Sequence, residues 1–345
     1  MATTNRISFR MPWIAVALAF VVSLFTVVNA ADSDTLDLGA MMQPLSDAGI
    51  YREADYHTWC PNIVRGGDGR FYLIYSRWPK KTGDPGWLTD SEIAVAVADK
   101  PEGPYRHLQV LLKGAGPGHW DELMAHNPKL YVFGGKYYLY YISSRPGPTR
   151  GHIRDSQRIG VAVSDSIFGP YRRCERSLVE PAAPIYNVAV NPAVTATPDG
   201  GYLMIVKGDL LPKKPTERVG QRVQAVALAD SPLGPFRLLP DPAIADIDTE
   251  DAAVWHDRKR GRFYAVFHAH TYIGLITSED GLHWRRARHY EVTKKEIPRT
   301  DGTVLQPSRL ERPDVYFENG KPRMFCAGAK VGRDYFCVLV SLGTK

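Results

Sequence analysis

The chain has 345 residues, 44% hydrophobic, 23% charged and 11% aromatic, the composition of a folded globular protein and not of a disordered, collagen-like or coiled-coil chain. Four cysteines over that length exclude a disulfide-scaffold protein. The single long apolar run sits at the extreme N-terminus, which excludes a multi-spanning membrane protein.

That run sets the expected compartment. Arg6 and Arg10 precede an apolar stretch from Trp13 to about Val28, and Val28-Asn29-Ala30 offers small residues where a signal peptidase cuts. The expectation is a signal peptide over residues 1–30 and an exported chain, periplasmic or secreted, with no membrane segment after cleavage. A retained anchor helix is the alternative, because the run approaches the length of a span. Cleavage removes two arginines and no acids, so the formal charge falls from +6 to +4. No basic stripe or aromatic platform marks the chain for nucleic acid.

Beyond the leader the chain repeats itself: an apolar-aromatic strand, a loop, an alternating strand, then Gly-Pro-aromatic. The first copy runs from Phe71–Tyr75 through Ile93–Ala98 to Gly103-Pro104-Tyr105. The second runs from Tyr137–Tyr141 through Ile159–Val163 to Gly169-Pro170-Tyr171, and the third from Tyr202–Val206 through Val223–Leu228 to Gly234-Pro235-Phe236. The Gly-Pro signals sit 66 and 65 residues apart. Two drifted copies follow, Phe263–Phe267 with Ile273–Thr277, and Pro322–Cys326 with Tyr335–Leu339. These β-branched and aromatic runs, bounded by Gly, Pro and Asp and lacking a helical period, predict an all-β chain. Five units, each too small to bury its own face, predict a five-bladed β-propeller as one domain over residues 31–345. Two packed sandwiches are the alternative.

Each repeat opens with a polar segment some ten residues before its aromatic strand. They read Tyr56-His57-Thr58-Trp59-Cys60-Pro61-Asn62, Ala125-His126-Asn127-Pro128, Val190-Asn191-Pro192, Glu250-Asp251-Ala252-Ala253 and Glu311-Arg312-Pro313-Asp314. The first strand of a propeller blade lines the central channel, so the five segments are expected to converge on one axial pocket.

With these segments the chain resembles the five-bladed propeller glycoside hydrolases related to families 43, 32 and 117. Glu250-Asp251-Ala252 resembles the Glu-x-Pro opening that carries the general acid in family 43. Leu310-Glu311-Arg312-Pro313 with Gly320-Lys321-Pro322 resembles a last-blade signature of the wider group. The resemblance implies an oligosaccharide substrate and Glu250 as general acid. It breaks at Cys60, where family 43 places its general-base Asp, and at Asn191, where it places the Asp that tunes the acid.

Hydrolysis of a glycoside needs one carboxylic acid to protonate the leaving oxygen and one carboxylate to activate water or attack the sugar. Glu250 is expected to be the acid, with its pKa raised by burial and by neighbouring carboxylates. Strand alternation sends Asp251 to the opposite face, where it supports the site from behind or makes a structural turn. Asp121, in His119-Trp120-Asp121-Glu122, is the expected base, on a loop rising to the channel mouth. Asp55 and Glu311 are the reserves, Glu311 alternatively locking Arg312 or Lys207 in an ion pair. His57, His126, Asn127 and Asn191 suit sugar hydroxyls, and Trp59 and Trp78 suit a pyranose face. Lys207, Arg77 and Arg312 would make the pocket partly cationic. Trp255 and Trp284 are assigned to the blade core. No metal-ligand spacing or phosphate loop is present, so no cofactor or metal is expected. A hairpin turning near Val331-Gly332 would set Cys326 opposite Cys337, as a disulfide or as reduced core thiols. Specificity is expected from the loops over residues 77–92, 144–158 and 207–222.

Three functions fit this sequence: an exported, exo-acting and inverting glycoside hydrolase, a catalytically inactive carbohydrate-binding propeller, or a glycoside phosphorylase.

Overall fold

A computed structural model describes residues 33–214, 217 and 219–343. The expected leader over residues 1–30 lies outside the described residues. Five four-stranded antiparallel sheets form the ring of a five-bladed β-propeller. Blade one comprises Tyr56–Arg65, Phe71–Pro79, Glu92–Ala98 and Arg106–Leu112; blade two His126–Phe133, Lys136–Ser143, Arg158–Ser164 and Arg172–Arg173. Blade three comprises Tyr186–Ala196, Tyr202–Asp209, Arg222–Ala229 and Arg237–Leu238; blade four Thr249–Asp257, Arg262–Ala269, Tyr272–Ser278 and Arg285–Thr293.

Blade five differs in its connectivity. Arg309–Glu318, Lys321–Val331 and Asp334–Ser341 supply three strands, and the outer strand is Ile50–Tyr51 from the other end of the domain. Ile50 pairs with Val338 and Tyr51 with Cys337. The ring is thus closed by backbone hydrogen bonds between its two ends.

The core lies between blades. The second strands alternate with a period of two, and both of their faces are buried. Tyr72 and Ile74 pack with Leu139 and Tyr141 of blade two, while Leu73 and Tyr75 pack with Cys326 and Cys337 of blade five. Equivalent layers join blades two and three through Tyr140 and Met204, three and four through Ile205 and Phe267, and four and five through Tyr264 and Phe325. Leu36, Leu38 and Leu45 of the N-terminal segment bury themselves in the last of these layers. Trp255 stacks on Tyr264 at a centroid distance of 6.0 Å and Trp284 lies against Phe263 at 6.5 Å, within the blade layers.

The last hairpin corrects one expected pairing. Val331 faces Asp334, so the turn sits one residue further on, and Cys326 lies opposite Leu339 while Cys337 lies opposite Gly328. Both thiols are free and buried.

Candidate active site

The five opening segments form the inner strands, and each contains the same irregularity. The pairing with the second strand slips after Trp59, His126, Val190, Glu250 and Glu311. The next residue is in the left-handed region in every case: Cys60 (φ 56), Asn127 (φ 53), Asn191 (φ 57), Asp251 (φ 67) and Arg312 (φ 57). Asn and Asp tolerate that backbone better than most residues, while Cys60 and Arg312 hold it at a cost of order 1–3 kcal/mol each. Pro or Ala follows at the unpaired bulge position, where a missing N–H costs no ladder bond.

The bulge turns two successive side chains toward the axis. Those in the left-handed conformation join in a ring that is open between Arg312 and Cys60. Cys60 Sγ donates to Asn127 Oδ1, Asn127 Nδ2 to Asn191 Oδ1, and Asn191 Nδ2 to Asp251 Oδ1, each at 2.7 Å. Arg312 Nη1 donates to Asp251 Oδ1 at 2.7 Å and Arg312 N to its Oδ2 at 3.2 Å. One layer further along, Lys129 pairs with Asp314 at 3.1 Å, and Asn62 donates to the same carboxylate at 2.7 Å. These two layers close the channel beneath the pocket. Asp251 therefore belongs to the site, contrary to simple alternation, because the bulge resets the count.

Above the ring lies a pocket of about 230 Å³ with two unlike walls. Trp59, Trp78, Trp87, His126 and Tyr335 line the side toward blades one, two and five. The indoles of Trp59 and Trp78 each stand 5.3 Å from the Tyr335 ring, and Trp87 lies 5.5 Å from His126. Arg154, Lys207, Arg222, Glu250, Arg309 and Glu311 line the other side. Aromatic rings and polar groups lining one pocket match a pyranose ring, which presents C–H groups on one side and hydroxyls around its edge.

The carboxyl groups are set apart by their surroundings. Burial, then the charges of Asp251 and Glu250, raise Glu311 from 4.5 to about 8, so it holds a proton at neutral pH. Its nearest cation, Arg309 Nε, stands 3.9 Å away. Burial and the Asp251 charge also raise Glu250, but its Oε1 accepts from Arg222 Nη1, which favours the ionised form. Burial of Asp251 is outweighed by the Arg312 guanidinium, and its carboxyl stays below the ordinary range. His126, brought to about 3 by burial, is neutral and shares a 2.7 Å hydrogen bond with Ser91. His268, opposite Glu250 on the neighbouring strand, is brought to about 4 for the same first reason.

Glu250, Asp251 and His268 place one ligand atom each within 4.8 Å of one another. Two guanidinium groups already engage those carboxylates, so the cluster is charge-balanced without a cation. Of the cations expected here, Lys207 pairs with Asp209 at 2.9 Å and Arg312 with Asp251, while Arg77 lies apart, between Glu53 and Glu92. The expected pairing of Glu311 with Arg312 or Lys207 does not occur.

The structure brings together Glu250, Glu311, Trp59, Trp78, His126, Asn127, Asn191, Lys207, Asp251 and Arg312 around one pocket. Besides Arg77, two expected members are elsewhere. Asp121 is buried between the Tyr141 hydroxyl and Arg173, each at 2.7 Å. It anchors its loop to blade two and is not a base at the mouth. His57 lines the neighbouring cleft with Lys80, Asp84 and Lys330, on the far side of Trp78 and Tyr335. Cys60 is sealed in the ring, and burial pushes its thiol up to about 12, so it is neither nucleophile nor base. Sequence reasoning missed Trp87, Arg154, Gln157, Arg222, Arg309 and Tyr335. The first four belong to, or border, the three loops from which specificity was expected, but nothing in their local pattern marks them.

No family model matches the chain. A stretch of 55 residues is 38% identical to an extracellular endo-alpha-(1->5)-L-arabinanase of Thermotoga petrophila, covering 16% of this chain and 10% of that protein. Likeness over the whole fold is to solved glycoside hydrolases. One has a TM-score of 0.64 at 14% identity, over 89% of this chain and 94% of its own. A family 117 glycoside hydrolase of Zobellia galactanivorans gives 0.59 at 15%, over 87% and 88%. A family 43 β-xylosidase/α-arabinofuranosidase from a compost microbial metagenome, solved with xylotriose, gives 0.57 at 18%, over 90% and 96%. At these identities the likeness establishes the shared architecture: this chain has the five-bladed propeller fold of family 43 and family 117 glycoside hydrolases.

Proposed function

We propose that this protein is an exported glycoside hydrolase that removes a terminal sugar from a plant or algal oligosaccharide with inversion. In this reading Glu311 is the general acid and Glu250 the carboxylate that activates water. The observation that carries it is the pair of carboxyl groups on adjacent inner strands. One is protonated at neutral pH and the other is gripped by a guanidinium, both facing an aromatic wall. Glycosidic cleavage requires one carboxyl group that gives a proton and a second that acts as carboxylate, and the Arg222 contact fits Glu250 to the second role. The roles differ from those the family resemblance implied, on the ground of geometry: a guanidinium contacts Glu250, while Arg309 Nε stands 3.9 Å from Glu311. The closed channel floor supports action at a chain end, and the apolar leader supports export.

The experiment compares wild type, Glu311→Gln and Glu250→Gln on natural oligosaccharides and on 2,4-dinitrophenyl glycosides, which need no protonation to leave. Glu311→Gln should lose at least about 10²-fold on natural substrates and little on the activated ones. Glu250→Gln should lose activity on both, and anomer-resolved NMR of the wild-type product should show inversion. The role of Glu311 is refuted if its variant loses the activated substrate as fully as the natural one.

The sealed Cys60 favours a second reading, a propeller that binds carbohydrate without cleaving it, since the position from which family 43 supplies a base carries none. Sugar binding by calorimetry, with no turnover on any substrate, would establish that reading.

A further inference from the structure

Arg222 opens the third strand of blade three and is held from two sides. Asp248, two residues before Glu250, accepts from Arg222 Nε at 2.8 Å and from its backbone N at 3.1 Å through Oδ1, and from Nη2 at 2.9 Å through Oδ2. A two-oxygen fork of this kind fixes the plane of a guanidinium, and no lysine can reproduce it. Asp248 Oδ2 also lies 2.8 Å from His270 Nε2. The one amine left over, Nη1, reaches Glu250 Oε1. Both partners are largely shielded, with side chains 22% and 20% exposed.

We infer that Arg222, clamped by Asp248, is a positioning residue that orients the Glu250 carboxylate at the pocket wall and opposes its protonation. The inference rests on the hydrolase reading for its link to turnover, but not for its geometry. Other charged and titratable groups also face Glu250. Asp251 adjoins it on its own strand and His268 stands opposite on the next. Lys207 comes from blade three, and Arg312 and Glu311 from blade five. Among these, Lys207 and Arg312 have acidic partners of their own, Asp209 and Asp251. Arg222 is the cation whose free amine is spent on Glu250.

The test follows the Glu250 carboxyl directly, by carbon-13 NMR of protein labelled at glutamate carboxyls, with Glu250→Gln assigning the signal. Arg222→Gln should raise the Glu250 midpoint by about one pH unit or more, a tenfold rise in proton affinity. Arg222→Lys should restore part of that shift, and Asp248→Asn, which keeps the guanidinium but frees it, should move the midpoint in the same direction by less. Hydrolysis, where present, should show its acidic limb rising with the midpoint. An unmoved midpoint in Arg222→Gln overturns the inference, and should that variant not fold, an unmoved midpoint in Asp248→Asn does so. A shifted midpoint in a protein that cleaves no glycoside leaves the positioning role standing and removes the hydrolase reading.

Discussion

Replacing Glu311 by Gln keeps its shape and removes its proton equilibrium, so its effect on stability can be worked out without knowing the substrate. In the unfolded chain this carboxyl titrates near 4.5; in the folded protein burial and the Asp251 and Glu250 charges bring it to about 8. Between those values the native state holds a proton that the unfolded chain has released. Stability from this group is therefore full below the unfolded value, falls through the window and levels off above the folded one. At about 1.4 kcal/mol per pH unit, the whole window is on the order of 5 kcal/mol. That is a large share of a typical domain's stability, and with a side chain only 17% exposed little of it is screened. Urea unfolding of both proteins at pH 5 and pH 9, at one ionic strength, reads the effect. Wild type should lose several kcal/mol more than Glu311→Gln across that interval, and the variant should be the more stable protein at pH 9. Parallel losses would refute the protonated Glu311 and with it the acid assigned to it.

Two further substitutions test the frame of the site. A Cβ at Gly328, which pairs with Glu311, would stand 2.6 Å from the Trp59 indole. Gly328→Ala should therefore displace that ring, cost about 1–3 kcal/mol and change the tryptophan emission, as a thermal melt followed by fluorescence will show. Asp121→Asn should break its buried pair with Arg173 and cost about 3 kcal/mol in a denaturation curve. The same variant should leave the pH dependence of turnover unchanged, because its carboxyl lies outside the pocket.

The fold was legible because its signals are periodic. The second strands are continuous apolar runs, and both faces of Leu73, Ile74 and Tyr75 are buried, which is how a blade between two neighbours must look. The closing strand was not legible. Ile50–Tyr51 is two residues long and carries no alternation to detect, and its partner lies at the other end of the domain. A closure of that kind is a property of the ring, not of any local stretch.

The site divides along a similar line, and the division has a mechanical cause. Glu250, Glu311, His126 and the ring residues could be read because they sit at one repeated place, the slip in each inner strand. Counting by twos sent Asp251 away from the pocket, since a sequence of side chains does not announce a bulge. The left-handed residue that makes the bulge is usually an invitation to glycine, yet here Cys, Asn, Asn, Asp and Arg occupy the five positions. Each holds that backbone because its side chain finds a partner across the axis. The same slip thus gives the propeller both a sealed floor and, one residue earlier, the inward-facing Glu250 and Glu311. Arg222, Trp87 and Tyr335 obey no such repeat, because they reach the pocket from third strands and from a loop, and the loops differ in length from blade to blade. What varies between blades is what shapes one pocket out of a five-fold frame, and that part of a propeller has to be seen in three dimensions.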